Sequence, residues 1–456
     1  VVKNMTTPPN TSSPKHRPLR GARDVALETL RAVDAREAFL QPALDAAVRR
    51  AELDTRDRGL ALELTSGVLR WQRRLDHRIA PFLRRGLEET DPRLLSVLRL
   101  AVYQLDFMDR VPARAAVHEA VAQARQVSGE GGSRLVNAVL RAVSQASESL
   151  PTGDTPEALG VRLSHPDWLA AIALELLGPD DATALLAAHN RPAPLTIRAI
   201  APAEVLRARI EAEGGQLTPG KFAPAAYHLE HPAPFAAASF HEGLWTVQDE
   251  AAQLVAHLVD PQPGEALWDV CAAPGGKSRH LYDLQSARGP GGTLLSTDTH
   301  AGKVTRLGET LSGLAGVTTA RHDATQSPPG VFDRVLLDAP CSGLGTLRRH
   351  PEIRWRRTPE VVAALAADQR RMLEQASRAV KPGGVLVYSV CTITEAEGPG
   401  AVADFLDFHP EFRIDAPPVS AAAAIDWAAL AVPMGYRTWP HRHDMDGFFA
   451  ARLRRA

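Results

Sequence analysis

Asp269-Val270-Cys271-Ala272-Ala273-Pro274-Gly275-Gly276-Lys277 is the stretch on which the reading of this 456-residue chain turns. It follows the short apolar run ALWDV and leads into the helical pattern KSRHLYDL, so it is the bend between a strand and a helix. In a doubly wound parallel sheet, ligands sit beyond the carboxyl ends of the strands. Small residues there let a ligand approach the backbone, and the N-terminus of the next helix favours a carboxylate. A tight turn with no ligand would use the same glycines. The whole nonapeptide is more specific than a glycine pair and points to a binding loop.

Downstream, GTLLSTD, GVTTA, DRVLLDAP and GGVLVYSVC alternate with the helical stretches AGKVTRLGETLSGL, TPEVVAALAADQRRMLEQASRAV and EAEGPGAVADFLDF. Strand–helix alternation of this kind predicts an α/β doubly wound, Rossmann-like domain over residues 246–456. The late runs GYRTWP and GFFAARL are expected as its last strands, parallel or antiparallel. The second strand ends at Asp298, about 20 residues after the first glycines, where an acid is placed for ribose hydroxyls. Asp323 follows the third strand and is positioned for an adenine ring. Either aspartate alone serves equally well as a helix cap. The fourth strand ends in Asp338-Ala339-Pro340-Cys341 and the fifth in Ser389-Val390-Cys391. A lone cysteine at a strand end is usually a small buried hydrophobe. Here Cys271, Cys341 and Cys391, all the cysteines of the chain, fall on one rim.

Upstream the pattern is helical from Arg20 to about Ser147, as in DTRDRGLALELTSGVLRWQRRLDHRIAPFL and VPARAAVHEAVAQARQV. Asp91-Pro92 and Val111-Pro112 read as helix starts, and Gly129, Gly131 and Gly132 interrupt the pattern. This predicts an all-α domain over 20–148, followed by the linker SLPTGDTP. Residues 157–245 form a small α+β domain, with SHPDWLAAIALELLG as helix, PLTIRAI and GLWTVQD as strands, and a proline-rich HPAPF between them. Residues 1–19 read as a disordered lead-in rich in Thr, Pro, Ser and Asn, with Met5 as the natural start.

Hydrophobic residues make up 45% of the chain, enough for several cores, yet no apolar run is long enough to span a membrane. The N-terminus has no apolar signal-peptide core, and three cysteines argue for a reducing cytoplasm over a disulfide scaffold. Net charge is −1, which removes any global polyanion-binding field. Regionally, residues 15–150 carry 23 basic against 18 acidic groups, residues 151–250 carry 6 against 13, and residues 251–456 carry 22 against 22. A mildly basic N-terminal third suits a polyanion or, equally, solvated helix faces.

Cysteines at this rim match one reaction. Carbon 5 of cytosine is a poor nucleophile towards a methyl donor. A thiolate added to carbon 6 makes it enamine-like, a case of nucleophilic catalysis. With DVCAAPGGKS, DAPCSGLGTLRRHPEIRW and YSVCTI in that order, residues 248–456 resemble the RNA 5-methylcytosine methyltransferases of the Sun/Fmu (RsmB) and nucleolar Nop2 superfamily. The helical N-terminal domain resembles NusB, a pairing characteristic of the RsmB family, as are PHRHDMDGFFAARLRR and SHPDWLAAIALELLG. The resemblance implies S-adenosylmethionine as cofactor and 16S rRNA as the RNA partner, with no membrane and no stable protein partner evident. It implies cofactor contacts from Cys271, Ala272, Ala273, Pro274, Gly275, Gly276, Lys277, Asp298, Asp323 and Asp338. It makes Cys391 the nucleophile and Cys341 the residue that assists release, with Asp338 also hydrogen-bonding the cytosine ring. Relatives usually carry Thr before the nucleophile, where this chain has Val390.

Arg348, Arg349, Arg354, Trp355, Arg356 and Arg357 follow the Cys341 loop and are expected to contact RNA, by phosphate pairing and stacking. A solvated loop, or Trp355 packed under the next helix, is the structural alternative. Lys277 suits RNA, cofactor or solvent. His441, His443, Asp444 and Asp446 suggest a metal, but the cysteines lack paired zinc spacing and no metal is expected. No nucleophile-elbow motif supports Ser/His/Asp hydrolysis. The rivals are a tRNA or 23S rRNA cytosine methyltransferase, and a non-catalytic assembly or antitermination factor that binds RNA.

Overall fold

Helical periodicity in the N-terminal third becomes α1 (Ala22–Arg36), α2 (Leu40–Ala51), α3 (Thr55–Ile79), α4 (Pro92–Phe107) and α5 (Ala113–Gln145). The computed structural model describes residues 19, 21–36, 38–231, 237–418 and 425–456. Apart from Leu19, the lead-in expected over 1–19 lies outside them, as does HPAPF after His231. Asp91 caps α4 by accepting from Arg93 N at 2.9 Å, with Pro92 in the first turn, where a missing N–H costs nothing. The glycine run bends α5 without ending it: Ser128 and Gly129 leave helical geometry, Gly129 at φ 66°, and the helix resumes. Leu64, Val68, Leu98, Val102, Val136 and Leu140 form the core. The described residues up to Leu150 form one compact unit.

The second compact unit is Pro151–Ala456. It begins with α6 (Pro156–Arg162), capped by Thr155, and α7 (Asp167–His189), which bends at Gly178. A small antiparallel sheet follows, built from β1 (Thr196–Ala199), β2 (Gln216–Pro219), β3 (Ala226–Glu230) and β4 (Trp245–Val247) in the order β2-β3-β1-β4. Two helices, α8 (Ala203–Ala212) and α9 (Ala238–His241), accompany it.

After α10 (Glu250–Val259) the expected alternation appears: β5 (Ala266–Asp269), α11 (Gly276–Arg288), β6 (Thr293–Asp298), α12 (Ala301–Thr310), β7 (Val317–Arg321) and β8 (Phe332–Asp338). Then come α13 (Ile353–Arg356), α14 (Pro359–Arg378), β9 (Val380–Val390), α15 (Pro399–Phe408) and β10 (Phe412–Ile414). The chain ends with β11 (Ala431–Val432), β12 (Gly435–Arg437), α16 (Pro440–His443) and β13 (Phe449–Arg455). The sheet runs β7-β6-β5-β8-β9 in parallel, and GFFAARL and GYRTWP extend it antiparallel as β13 and β12. Strand order reverses at β5, so the crevice between β5 and β8 is a topological switch point, where such sheets bind ligands.

Side chains alternate between two cores. Val335 and Leu337 of β8 join Leu386 and Tyr388 of β9 beneath α14 and α15, while Leu336, Val385 and Val387 face α10 and α11. That period of two explains why these strands read as continuous apolar runs: both faces are buried. Val390 is fully buried in the first of these cores, so this position presents a methyl group to apolar neighbours and no hydroxyl in need of a partner. EAEGPGAVADFLDF is only partly helical: α15 starts at Pro399, and Glu395–Gly398 form the turn before it.

Candidate active site

β5 delivers Asp269 to the switch point fully buried. Ser278, in the first turn of α11, donates to Asp269 Oδ2 at 2.6 Å, and Ser296 of β6 donates to Ser278 Oγ at 2.9 Å. Burial pushes the Asp269 carboxyl up to about 7, against the pull of the Ser278 hydrogen bond. A cavity of about 120 Å³ opens here, lined by residues 271–274, 276 and 277 with Asp269 and Asp338, and also by Gln248 and Ala252. Gly275 turns the loop at φ 110°, a conformation that suits glycine. Two buried atoms of this lining, Asp269 Oδ1 and Gln248 Nε2, have no hydrogen-bond partner among the described residues. Gln248 is fixed from its other end, where Arg198 Nε donates to its Oε1 at 2.8 Å.

Asp338 faces the loop from the end of β8. Lys277 Nζ lies 2.7 Å from its Oδ2, and Ser389 Oγ donates to its Oδ1 at 2.6 Å. Burial opposes the Lys277 charge, but the Asp338 carboxylate outweighs it and holds the ammonium above the usual lysine range. The same ammonium lies over the Phe448 ring, 5.2 Å from its centroid. The Cys341 and Cys391 sulfurs are 3.2 Å apart. Contact with Cys391 and then burial push the Cys341 thiol well up, so it keeps its proton at neutral pH. Burial, with the acids around it, also raises Cys271. Gly345 N donates to Cys391 O at 3.0 Å, and Gly345 has to be glycine: a Cβ there would lie 1.8 Å from Gly447 O.

The other expected contacts are more dispersed. Asp298 is buried at the end of β6, accepting from His300 N at 3.2 Å, with Lys303 Nζ at 3.6 Å. Asp323 is exposed, and hydrogen bonds from Thr325 N and Oγ1 hold its carboxyl below the usual range. The arginine cluster is largely turned inward. Arg348 is buried, donating to Asp444 Oδ1 at 2.8 Å and Pro192 O at 3.2 Å. Arg349 pairs with Asp249 at 2.7 Å and Asp446 at 3.0 Å. Arg354 is fully buried and donates to Ser164 O, Asn190 Oδ1 and His189 O. Arg357 donates to Ser342 O at 2.8 Å. These side chains join the 151–195 segment and the C-terminal loop to the Cys341 loop, which takes Arg348 and Arg354 off the solvent-facing surface expected for RNA contact. Trp355 and Arg356 are half-buried. The acids that suggested a metal are engaged by the same arginines, and His443 Nδ1 accepts from Trp439 N at 2.9 Å.

Sequence reasoning placed Asp269 in the binding loop without giving it a role, and it missed Ser278, Gln248 and Glu397. Gln248 had a weak signal, as a polar residue next to the Asp249 cap of α10. The fully buried Glu397 gave none, because EAEG continues an apparently helical pattern.

Comparison with known proteins agrees with this geometry. Residues 256–454 match the family model described as 16S rRNA methyltransferase RsmB/F, and residues 20–145 match the NusB family. The chain is 37% identical to ribosomal RNA small subunit methyltransferase B of Thermus thermophilus, over 95% of this chain and 97% of that protein. The crystal structure of PH0851 superposes with a TM-score of 0.80 at 26% identity, over 96% of this chain and 99% of that one. NSun6 from Pyrococcus horikoshii with SFG, an S-adenosylmethionine analogue, shares the fold at a TM-score of 0.56 and 19% identity, over 64% of this chain and 98% of that one. The chain belongs to the 16S rRNA methyltransferase RsmB/F family and is an RNA methyltransferase.

Proposed function

We propose that this enzyme methylates carbon 5 of a cytosine in 16S rRNA, using S-adenosylmethionine and a covalent bond between Cys391 and the base. The observation that carries the reading is the convergence of two cysteine sulfurs, 3.2 Å apart, beside the Lys277–Asp338 pair at the sheet's switch point. S-adenosylmethionine supplies an electrophilic methyl group. The cavity suits its amino-acid end: the unpartnered Asp269 Oδ1 is an acceptor for an ammonium, and Gln248 Nε2 is a donor for a carboxylate. Residues 271–277 would line its backbone approach, with Asp298 for ribose hydroxyls and Asp323 nearer the adenine.

The family resemblance assigns the attacking sulfur to Cys391, with the Cys341 thiol, pushed well up by its contact with Cys391 and by burial, beside it. Lys277 places a cation where a Cys391 thiolate forms, which favours the nucleophile. Asp338, fixed by Lys277 and Ser389, is set to hydrogen-bond the cytosine ring. Addition to carbon 6 makes carbon 5 nucleophilic. After methylation the carbon-5 proton passes to a solvent base with Cys341 assisting, the electron pair re-forms the carbon 5–carbon 6 double bond, and the Cys391 sulfur departs as the thiolate. RNA is held by the NusB-like domain of residues 20–148, aided by the small 157–245 domain and by Trp355 and Arg356. The choice of 16S rRNA rests on the family description and the relative's name. Among the described residues no helix is long and apolar enough to cross a membrane, and we place the enzyme in the cytoplasm with its substrate.

The test is transfer of labelled methyl to protein-free 16S rRNA, with 23S rRNA and tRNA as controls and the product mapped as 5-methylcytosine. Label confined to tRNA or 23S rRNA, or label at a position other than carbon 5, would replace this reading.

A further inference from the structure

We infer that Glu397 is a positioning residue for the methyl transfer proposed above: its carboxylate clamps the loop after Cys341 to the loop after Cys391 and so sets the approach of the two thiols. The side chain is fully buried. Its Oε1 accepts from Ser342 N at 2.7 Å and from Gln369 Nε2 at 3.1 Å. Its Oε2 accepts from Ser342 Oγ at 2.5 Å, Thr394 Oγ1 at 2.9 Å and Thr392 Oγ1 at 3.0 Å. A carboxylate offers about four lone-pair sites, so these donors saturate it. A buried charge is tolerated only with such compensation.

The donors are not scattered. Ser342 directly follows Cys341, and Thr392 directly follows Cys391. Their hydroxyls also meet each other at 2.8 Å, so the two loops close on one carboxylate. Gln369 extends the clamp to the other side of Cys341 by donating to Pro340 O at 2.8 Å. Tyr388, three residues before Cys391, donates to Glu397 O at 2.6 Å. Each cysteine is therefore flanked by residues tied to this one turn. The sulfurs lie 3.2 Å apart at the end of that construction. A displacement of about 1 Å at a reacting centre can cost on the order of 100-fold in rate, so a residue that touches neither substrate nor cofactor can still control turnover.

Three variants of the full chain separate this role from simple support of the fold. E397Q keeps the shape. Its amide oxygen can hold Ser342 N and Gln369, and its amide nitrogen can donate to two of the three hydroxyls, which turn to accept. E397D keeps the charge but is one methylene too short to reach both loops. E397A removes the clamp. The first readout needs no methyl transfer. Diamide takes two electrons and two protons from a thiol pair, becoming the hydrazine, and peptide mapping follows the Cys341–Cys391 disulfide. Wild type and E397Q should cross-link at rates within about threefold of each other, with E397A and E397D slower by about tenfold or more. In turnover, E397A should lose about 100-fold in kcat, with the KM for RNA and the affinity for S-adenosylmethionine within about threefold of wild type, and E397Q should recover most of that loss. Wild-type cross-linking in E397A, or in E397D should E397A not fold, would overturn the inference. So would cofactor affinity that falls in step with kcat. A wild-type enzyme that makes no 5-methylcytosine would instead count against the proposed function, while the cross-linking rates would still judge the clamp.

Discussion

Replacing Arg354 by Ala tests whether the arginines after the Cys341 loop hold the protein together or hold RNA. Arg354 lies in α13 with no exposed surface, and its guanidinium donates to Ser164 O at 3.0 Å, Asn190 Oδ1 at 2.8 Å and His189 O at 3.2 Å. Those acceptors flank the two ends of α7, so one side chain ties that helix to the active-site loop. Truncation strips a donor from each acceptor, at about 1–3 kcal/mol apiece if nothing replaces it, and leaves a void. Such losses are not additive, so the range for breaking a buried charged network, about 3–5 kcal/mol, is the better figure. A unit of about 300 residues gains roughly 0.6 kcal/mol/K of entropy on unfolding, so ~4 kcal/mol lowers Tm by about 6 °C. Arg354→Lys should recover little, because a point ammonium cannot reach three acceptors. Calorimetry gives the Tm, and RNA titrations over a salt series give the second readout. A phosphate contact would lower the salt slope by about 0.7–0.9. We expect the Tm to fall and the slope to hold. A Tm within about 1 °C of wild type together with a flattened slope would refute the structural assignment.

Four further outcomes are expected. Cys391→Ala should abolish methylation and any protein–RNA adduct, whereas Cys341→Ala should trap an adduct that survives denaturing electrophoresis; an adduct in Cys391→Ala would reverse the roles. Asp298→Ala should weaken S-adenosylmethionine binding by about 10- to 150-fold by calorimetry, the loss of one charge-assisted hydrogen bond, and unchanged affinity removes it from the site. Asp269, pushed up to about 7 by burial, should be protonated below that pH and lose its grip on an ammonium. Cofactor affinity should then fall as pH drops from about 7 to 5, and Asp269→Asn should flatten the profile; a flat wild-type profile excludes the contact. His257 is held down to about 4, first by burial and then by Arg288 and Arg198. Its ring stands 5.2 Å from that of His280, also buried and lowered. The unfolded chain binds the proton more tightly, so His257 contributes about 3 kcal/mol that is intact above pH ~6.5 and lost as pH falls towards 4. His257→Leu should shrink the Tm loss across that window, and an unchanged slope would show the ring is not desolvated.

The fold was legible where neighbours in sequence are neighbours in space. Alternating burial along β8 and β9 follows from two covered faces, and each strand-end motif carries its own loop. Thus the strand-end motifs alone assign Cys271, Cys341 and Cys391 to one rim, where the Cys341 and Cys391 sulfurs meet and Cys271 lines the cavity with Asp338. Asp91 and Pro92 announced α4 for the same local reason.

What stayed hidden depends on partners far away in the chain. RRHPEIRWRR has the composition of an RNA-binding loop, and nothing within it separates a guanidinium facing solvent from one facing Ser164, 190 residues earlier. The charge balance offered only an oblique hint: residues 151–250 are acidic, with 13 acids against 6 bases. One of those acids, Asp249, engages Arg349, but most of the cluster's acceptors in that segment are backbone carbonyls, which no composition records. Glu397 is the sharper case. Its five donors come from four residues on three segments of chain, and only the turn closed by Pro399 aims the carboxylate inward. A motif shows the atoms that meet the substrate because they share a loop. The group that holds two loops together belongs to neither motif, so its role emerges only when the loops meet.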